Sequence, residues 1–305
     1  MTTYHTPVLL HESIEGLNIR PNGVYVDVTF GGGGHSNEIL KHLENGKLIA
    51  FDQDLDASEN QIDDSRLLFC RGNFRFLKNF LKFNSITKID GLLADLGVSS
   101  HHFDTVDRGF TFQGDSPLDM RMNQSAKLKA SDVLNQYSQD KLRNIFREYG
   151  EVDNAGRLAS IIVSVRPQTD FKTSSVFVDA IRPCIPRGLE NKYLAKVYQA
   201  LRIEVNRELE SLKLMLNQCI EIMNPGSRLV VITYHSLEDR IVKNFTKTGN
   251  FDGKVEKDFF GNAISPFKPL SNKIIIPNEL EINSNSRARS AKLRIAERIE
   301  VKKKL

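Results

Sequence analysis

The sequence predicts an α/β fold, a mostly parallel sheet interrupted by a helical insertion domain. Three observations carry this. Short apolar runs recur through the first hundred residues at intervals that leave room for helices, which is the rhythm of βαβ units. From about 104 to 194 helix-like segments replace the strand signals, and after 194 an amphipathic helix and another buried run restore the pattern. The expected organisation is one domain built from 1–103 and 195–305, with 104–194 inserted into it.

The elements follow in order. Val24 to Phe30 is rich in β-branched and aromatic residues and is closed by four glycines, a strand running into a turn. Leu48 to Asp52, Arg66 to Cys70 and Ile89 to Asp95 repeat the form. In the insertion, Ser138 to Arg147 has helical character and Arg182 to Gly188 reads as a loop. Lys196 to Met223 predicts one long helix, because Val197, Leu201, Val205, Leu209, Leu212 and Leu216 recur at spacings of three or four. Asn224, Pro225 and Gly226 stop it, and Arg228 to Tyr234 is the next buried strand. Residues 250–286 predict a long loop, and Ala291 to Ala296 a late strand.

Composition narrows the class. The chain has 305 residues, 40% hydrophobic and 26% charged, enough for a core and unlike a disordered segment. No window approaches the ~18 consecutive apolar residues that span a membrane. Met1 to His5 carries no basic or long apolar stretch of the secretory kind. Cys70, Cys184 and Cys219 fit neither a disulfide framework nor a zinc spacing. The expectation is a reduced, cytoplasmic protein with no metal site, no membrane contact, and an oligomeric state left open, homodimer included. Residues 287–305 hold eight Lys/Arg and two Glu against an overall charge of +4. This basic end permits contact with nucleic-acid phosphates without establishing it.

The chemistry-bearing motif starts at Asp27 and runs through Gly31–Gly34 to His35. Four glycines exceed the needs of a single turn and suggest a ligand. The dinucleotide pattern G-x-G-x-x-G fails, since Ser36 and Asn37 stand where its last glycine belongs, and no G-K-[ST] makes a P-loop. Asp27-x-x-x-Gly31-x-Gly33 instead resembles the nucleoside-binding turn of class I S-adenosylmethionine-dependent methyltransferases. That donor has no pyrophosphate to neutralise, so the glycines serve close backbone approach. Asp52, ending the second strand, suits two vicinal ribose hydroxyls, with an N-cap role as the alternative. Phe74 follows the third strand where an adenine would lie, with core packing as the alternative. Asp95 ends the fourth strand, on the side of the sheet where ligands collect.

The resemblance becomes specific when the motifs are taken together. His5 to Glu12, Asp27 to Ser36, Asp95 to Ser100, Arg108 to Phe112, Gly114 to Met122, Gln199 to Asn206, Tyr234 to Arg240 and Arg287 to Arg294 occur in order. The series closely resembles the bacterial 16S ribosomal RNA cytosine N4-methyltransferase family over nearly the whole chain. The resemblance implies a class I methyltransferase fold with a substrate-recognition insertion. It also implies S-adenosyl-L-methionine as methyl donor, and a cytidine in the decoding region of 16S rRNA in the small ribosomal subunit as acceptor. Carried over by position, the cofactor-binding residues are Gly33, Gly34, His35, Asp52, Phe74, Asp95 and His102. The family often has Gln at the last position, and here it is His. Asp95 is also the catalytic candidate, either accepting from the cytosine amine or holding the donor's amino group.

Two motifs stay open. Ser236 and Asp239 read as a capping box, while His235 suits either a structural hydrogen bond or a contact with the base. Aromatic residues between 103 and 149 suit either the insertion's core or stacking on unpaired bases. Two competing functions share parts of the pattern. A nicotinamide oxidoreductase would want the glycine spacing that Ser36 breaks. A non-catalytic RNA-binding assembly factor would have no need of the glycine turn with Asp52 and Asp95.

Overall fold

A computed structural model describes residues 7–98, 105–261 and 263–300. They form two compact units, one running to Gly97 and resuming at Leu209, the other Val98–Glu208.

The first unit is built on a seven-stranded sheet of order β3-β2-β1-β4-β5-β7-β6. Its strands are β1 (Val24–Asp27), β2 (Lys47–Asp52), β3 (Leu67–Arg71), β4 (Ile89–Asp95), β5 (Met223–Thr233), β6 (Phe267–Pro269) and β7 (Lys292–Arg298). β1 to β5 are mutually parallel, and β7 runs antiparallel between β5 and β6. Strand alternation sends successive residues to opposite faces. Val26, Leu92, Leu229 and Val231 join one core with α3 (Leu77–Phe83), α9 (Glu208–Ile222) and α10 (Ser236–Thr248). Tyr25, Leu93, Val230 and Ile232 join another with α1 (Leu10–Leu17) and α2 (Gly34–Lys41). A sheet covered on both faces needs near-continuous apolar strands, which is why these runs stood out in the sequence.

Pairing continues past the end of β1. Val28 N–H donates to Leu93 O at 3.0 Å and Phe30 N–H to Phe51 O at 2.8 Å. Residues 28–30 are thus threaded between β2 and β4, in keeping with a strand read to Phe30. Because β2 and β3 lie on one side of β1 and β4 on the other, strand order reverses at β1 and β4, where open α/β sheets bind ligands.

Among the described residues, the second unit holds five α-helices: α4 (Ala130–Gln136), α5 (Gln139–Glu148), α6 (Ala155–Val165), α7 (Ser174–Ile181) and α8 (Glu190–Asn206). Ser138 caps α5 by accepting from Lys141 N–H. Phe110, Phe146, Phe171, Phe177 and Leu201 are fully or nearly fully buried in its core, and Phe112, Tyr137 and Tyr149 pack against it. The aromatic residues of this stretch that are described are therefore core residues.

Three expectations are corrected. The single helix from Lys196 to Met223 is two helices, α8 and α9, broken at Arg207, whose φ of 51° is left-handed. Apolar spacing survives across such a break, so periodicity could not reveal it. Pro225 and Gly226 lie inside β5, not in a stop before it, and the pairing with β4 shifts register between Ile89 and Gly91. A bulge of this kind absorbs a proline that cannot donate to the ladder. Residues 250–286 are no plain loop: they contain β6, α11 (Glu279–Ser284) and an antiparallel bridge between Lys257 and Ala263.

Candidate active site

Five of the sequence-predicted residues, Gly33, Gly34, His35, Asp52 and Asp95, lie at or just past the carboxyl ends of β1, β2 and β4. Asp52, the last residue of β2, holds the glycine turn: its Oδ2 accepts from Gly31 N–H at 2.8 Å and its Oδ1 from Asp54 N–H at 2.9 Å. Asn60 closes the turn from outside, donating to Gly31 O at 3.2 Å. A carboxylate can accept several hydrogen bonds, so bracing the loop is compatible with accepting from a ligand. It is no helix N-cap; the short turn that follows, Asp56–Asn60, begins after Leu55.

The glycines divide by cause. Gly31 and Gly33 have φ of 52° and 76°, which side chains rarely adopt. A Cβ on Gly33 would sit 2.9 Å from the Phe30 ring, and one on Gly34 would sit 2.2 Å from Pro7 Cγ. Protein packing alone therefore demands glycine at 33 and 34. At Gly31 a Cβ would meet nothing nearer than Thr29 O at 4.0 Å, so this face of the turn is open.

Asp27 is the anchor beneath. It is buried, with Oδ2 accepting from Ser36 Oγ–H at 2.7 Å and Oδ1 from Thr29 N–H at 3.0 Å. Burial pushes its carboxyl above the usual range against the pull of His35, Ser36 and Thr29. Thr29 in turn accepts from Asp95 N–H at 2.7 Å, tying the glycine turn to the end of β4.

Among the described residues, His35, Tyr234 and the Gly97 N–H stand beside Asp95. His35 Nδ1 lies 4.0 Å from Asp95 Oδ2, while its Nε2 is 3.2 Å from Val8 O. Tyr234, just past β5, stands beside the carboxylate, and its ring fills the space where a Cβ on Gly97 would lie, 2.7 Å away. Burial pushes the Asp95 carboxyl up, more than His35, Tyr234 and the Gly97 N–H pull it down. The phenol of Tyr234 is pushed up by burial and by the neighbouring carboxylates. A carboxylate desolvated at a strand end and hydrogen-bonded on its flanks suits a cationic or N–H partner. Neither Asp27 nor Tyr234 was singled out from sequence for this environment. Asp27 is legible only as the first letter of the glycine motif, and Tyr234 only as the first letter of the Tyr234–Arg240 motif.

Phe74 opens the turn Phe74–Phe76 after β3, beside Asn73, whose amide donates to Gln53 Oε1 at 2.8 Å. The ring is half-buried and packs on the first unit's core, so the packing role is real whatever else it does. His102 lies outside the described residues.

The capping box is corrected as well. The N-cap of α10 is His235, whose Nδ1 accepts from Glu238 N–H at 3.4 Å. Glu238 reaches back to Tyr234 N–H at 3.0 Å, and Asp239 pairs with Arg294 at 2.8 and 3.1 Å. The His235 Nε2 lies 3.1 Å from Glu238 Oε1 but makes no hydrogen bond among the described residues, so it is Nδ1 that ties this imidazole to its own helix. The cysteines are buried and free; burial raises the Cys70 thiol to about 11 and the Cys219 thiol to about 12, leaving them unreactive.

Comparison with known proteins identifies the family. The sequence profile of the MraW methylase family matches residues 2–299. The chain is 57% identical to the ribosomal RNA small subunit methyltransferase H of Bacteroides thetaiotaomicron, over 97% of this chain and 98% of that protein. It is 53% identical to the protein of the same name from Flavobacterium johnsoniae, over 98% and 100%. Among solved structures, an rRNA methylase from Streptococcus thermophilus aligns at 10% identity with a TM-score of 0.43, over 98% of this chain and 100% of that one.

Proposed function

The chain belongs to the MraW methylase family, and from that premise we propose that it transfers a methyl group from S-adenosyl-L-methionine to the exocyclic N4 amine of a cytidine in the decoding region of 16S rRNA. The observation that carries the reading is the meeting of the glycine turn, Asp52 and the desolvated Asp95 at the point where strand order reverses. Neither a nicotinamide oxidoreductase nor a non-catalytic assembly factor is favoured.

The residues present fit the donor. Gly31 offers its backbone to a ligand, the Asp52 carboxylate at the end of β2 suits the ribose hydroxyls, and Asp95 suits a cationic centre. Gly33, Gly34 and His35 shape the turn around it, Phe74 lies where the adenine is expected, and His102 keeps its place in the proposal by position alone. When bound, the donor supplies an electrophilic methyl group on a sulfonium sulfur. What the protein must add is alignment, because the lone pair of the cytosine amine is delocalised into the ring and makes a poor nucleophile. Holding the amine in line is worth up to about 7–11 kcal/mol in well-oriented systems. Asp95 accepting from the amine would favour the positive charge that develops on nitrogen. His35 and Tyr234 keep its carboxylate aimed.

The compact unit Val98–Glu208 is the proposed rRNA-recognition part, and ribosomal RNA as substrate places the reaction in the cytoplasm. The test is incubation with methyl-labelled donor and either free 16S rRNA or small-subunit particles, followed by mapping of the modified nucleoside. Label in N4-methylcytidine of the decoding region is the expected result. Label elsewhere, or none on either substrate, would overturn the assignment.

A further inference from the structure

Lys257 pairs with Ala263 in an antiparallel bridge, and Ile264 N–H donates to Glu256 O at 2.8 Å. The turn between them is Asp258–Gly261. Gly261 N–H donates to Asp258 O at 3.0 Å, Phe260 N–H donates to Asp258 Oδ1 at 2.9 Å, and Gly261 takes a φ of 84°. The two central residues are Phe259 and Phe260, 97% and 84% exposed. Central turn positions ordinarily carry Gly, Pro, Asn, Asp or Ser, each for its backbone geometry. Two phenylalanines there contribute nothing to the turn and leave their apolar surface in water. Their rings meet edge to face with centroids 5.8 Å apart, which leaves ring faces open.

Area and charge indicate what covers them. A buried aromatic side chain covers about 150–250 Å², so the pair offers well under the ~800 Å² per partner of a stable protein interface. That area suits one or two flat rings. The stretch from Lys254 to Lys273 carries four lysines and two acidic residues, a net +2, in a chain whose sequence before 287 is otherwise negative. Aromatic side chains beside lysines are the means by which proteins hold unpaired bases, stacking on the ring and neutralising the phosphates.

We propose that the Phe259–Phe260 tip is a second RNA contact, outside the insertion unit, that stacks on unpaired bases of the substrate RNA; this rests on the rRNA-methylation reading above. Neither phenylalanine is among the residues proposed to hold the donor, so the tip contributes to RNA affinity and leaves donor affinity alone.

The chain has no tryptophan, so Phe260→Trp introduces a single fluorophore at the tip. Its emission should be quenched and shielded from acrylamide when 16S rRNA is added. Phe259→Leu/Phe260→Leu, which keeps apolar bulk without a π face, should weaken rRNA binding about tenfold or more. Phe259→Tyr/Phe260→Tyr should stay within about twofold of the parent, and all variants should bind adenosylmethionine as the parent does. Unchanged tryptophan emission in the RNA complex together with parental affinity of the Leu pair would overturn the proposal. So would a Leu pair that alters the sedimentation of the protein alone while rRNA affinity holds, which would give the tip to a second copy of the chain. Methylation of rRNA by the parent, measured in parallel, separates the two readings. Activity with an indifferent tip sinks only this contact, and a quenched tip without methyl transfer sinks only the assigned reaction.

Discussion

The strand-end carboxylates of the first unit and the loop carboxylates of the second are treated in opposite ways. At the strand ends of the first, burial pushes Asp27 and Asp95 above the usual range, and the surrounding donors compensate only in part. In the second, Asp119 is held below it: burial acts upward, but Arg121 outweighs it through two contacts of 2.7 Å. Asp115 is also lowered, by the hydroxyls of Ser175 and Thr173. The same Arg121 donates to Gln124 O and Ala126 O, and Arg108 donates to the carbonyls of Arg121 and Met122. In the second unit these charges are matched internally and hold a loop. In the first, negative charge is desolvated without a full counter-ion, as a site awaiting a cationic or N–H ligand would be.

The sharpest way to break this contrast is to remove one side of it. Replacing residues 105–208 with a short Gly/Ser linker should abolish rRNA methylation while adenosylmethionine affinity stays within severalfold. A soluble variant that still methylates at the normal rate would end the recognition role of the insertion. Next in size is Asp95→Asn. If Asp95 accepts from the cytosine amine, the amide stabilises the developing charge less well, and the single-turnover rate constant with donor and rRNA saturating should fall about ten- to a hundredfold. A parental rate constant would leave Asp95 as a donor ligand only.

Asp52→Ala should weaken donor binding by a similar factor in calorimetric titration, since hydrogen bonds to a charged group are worth roughly 1.5–3 kcal/mol. The structure adds a refinement. Alanine also releases Gly31 N–H, whereas Asp52→Asn keeps one acceptor for it and should lose less; equal losses would mean that the loop brace is not part of the effect. On the other side, Arg121→Ala should cost about 1–3 kcal/mol of stability in denaturant unfolding, with donor affinity unmoved. A change in donor affinity would show that the two units are not separable in this respect.

The smallest effect is in pH. Asp27 and Asp95 have raised folded values, so their contribution to stability is present below the ordinary 3.8 and is lost as pH rises through the folded value. Asp119 has the reverse sign: its contribution is present above 3.8 and lost as pH falls through its lowered value. Asp119→Asn should therefore flatten the acid side of the stability profile, and Asp95→Asn should flatten the fall on the higher side of 3.8. Unfolding midpoints measured across the acid range check both signs, and curves superimposable on the parent would refute them.

Much of the site was legible because its signals are local. A buried parallel strand needs a continuous apolar run, so β1, β2, β3 and β4 announce themselves, and the carboxylates Asp52 and Asp95 are simply their last residues. A positive φ needs glycine, so the turn after β1 is visible as Gly31 and Gly33. The reading fails where local pattern and long-range contact part company. Arg207 breaks a helix whose apolar spacing continues through it. His235 takes the cap that Ser236 seemed suited to, because Glu238 folds back to Tyr234.

By itself, then, the sequence determined the strand and turn chemistry of the first unit and its family, since both are written in neighbouring residues and ordered motifs. Only the tertiary structure decided that β7 lies antiparallel between β5 and β6, and that Gly34 is required by Pro7, 27 positions earlier. It alone brought His35 and Tyr234, nearly two hundred positions apart, beside Asp95. The reason is physical: periodicity and φ preference act within a few residues, whereas desolvation and hydrogen-bond partnership depend on which distant segments the packed sheet brings within a few ångströms.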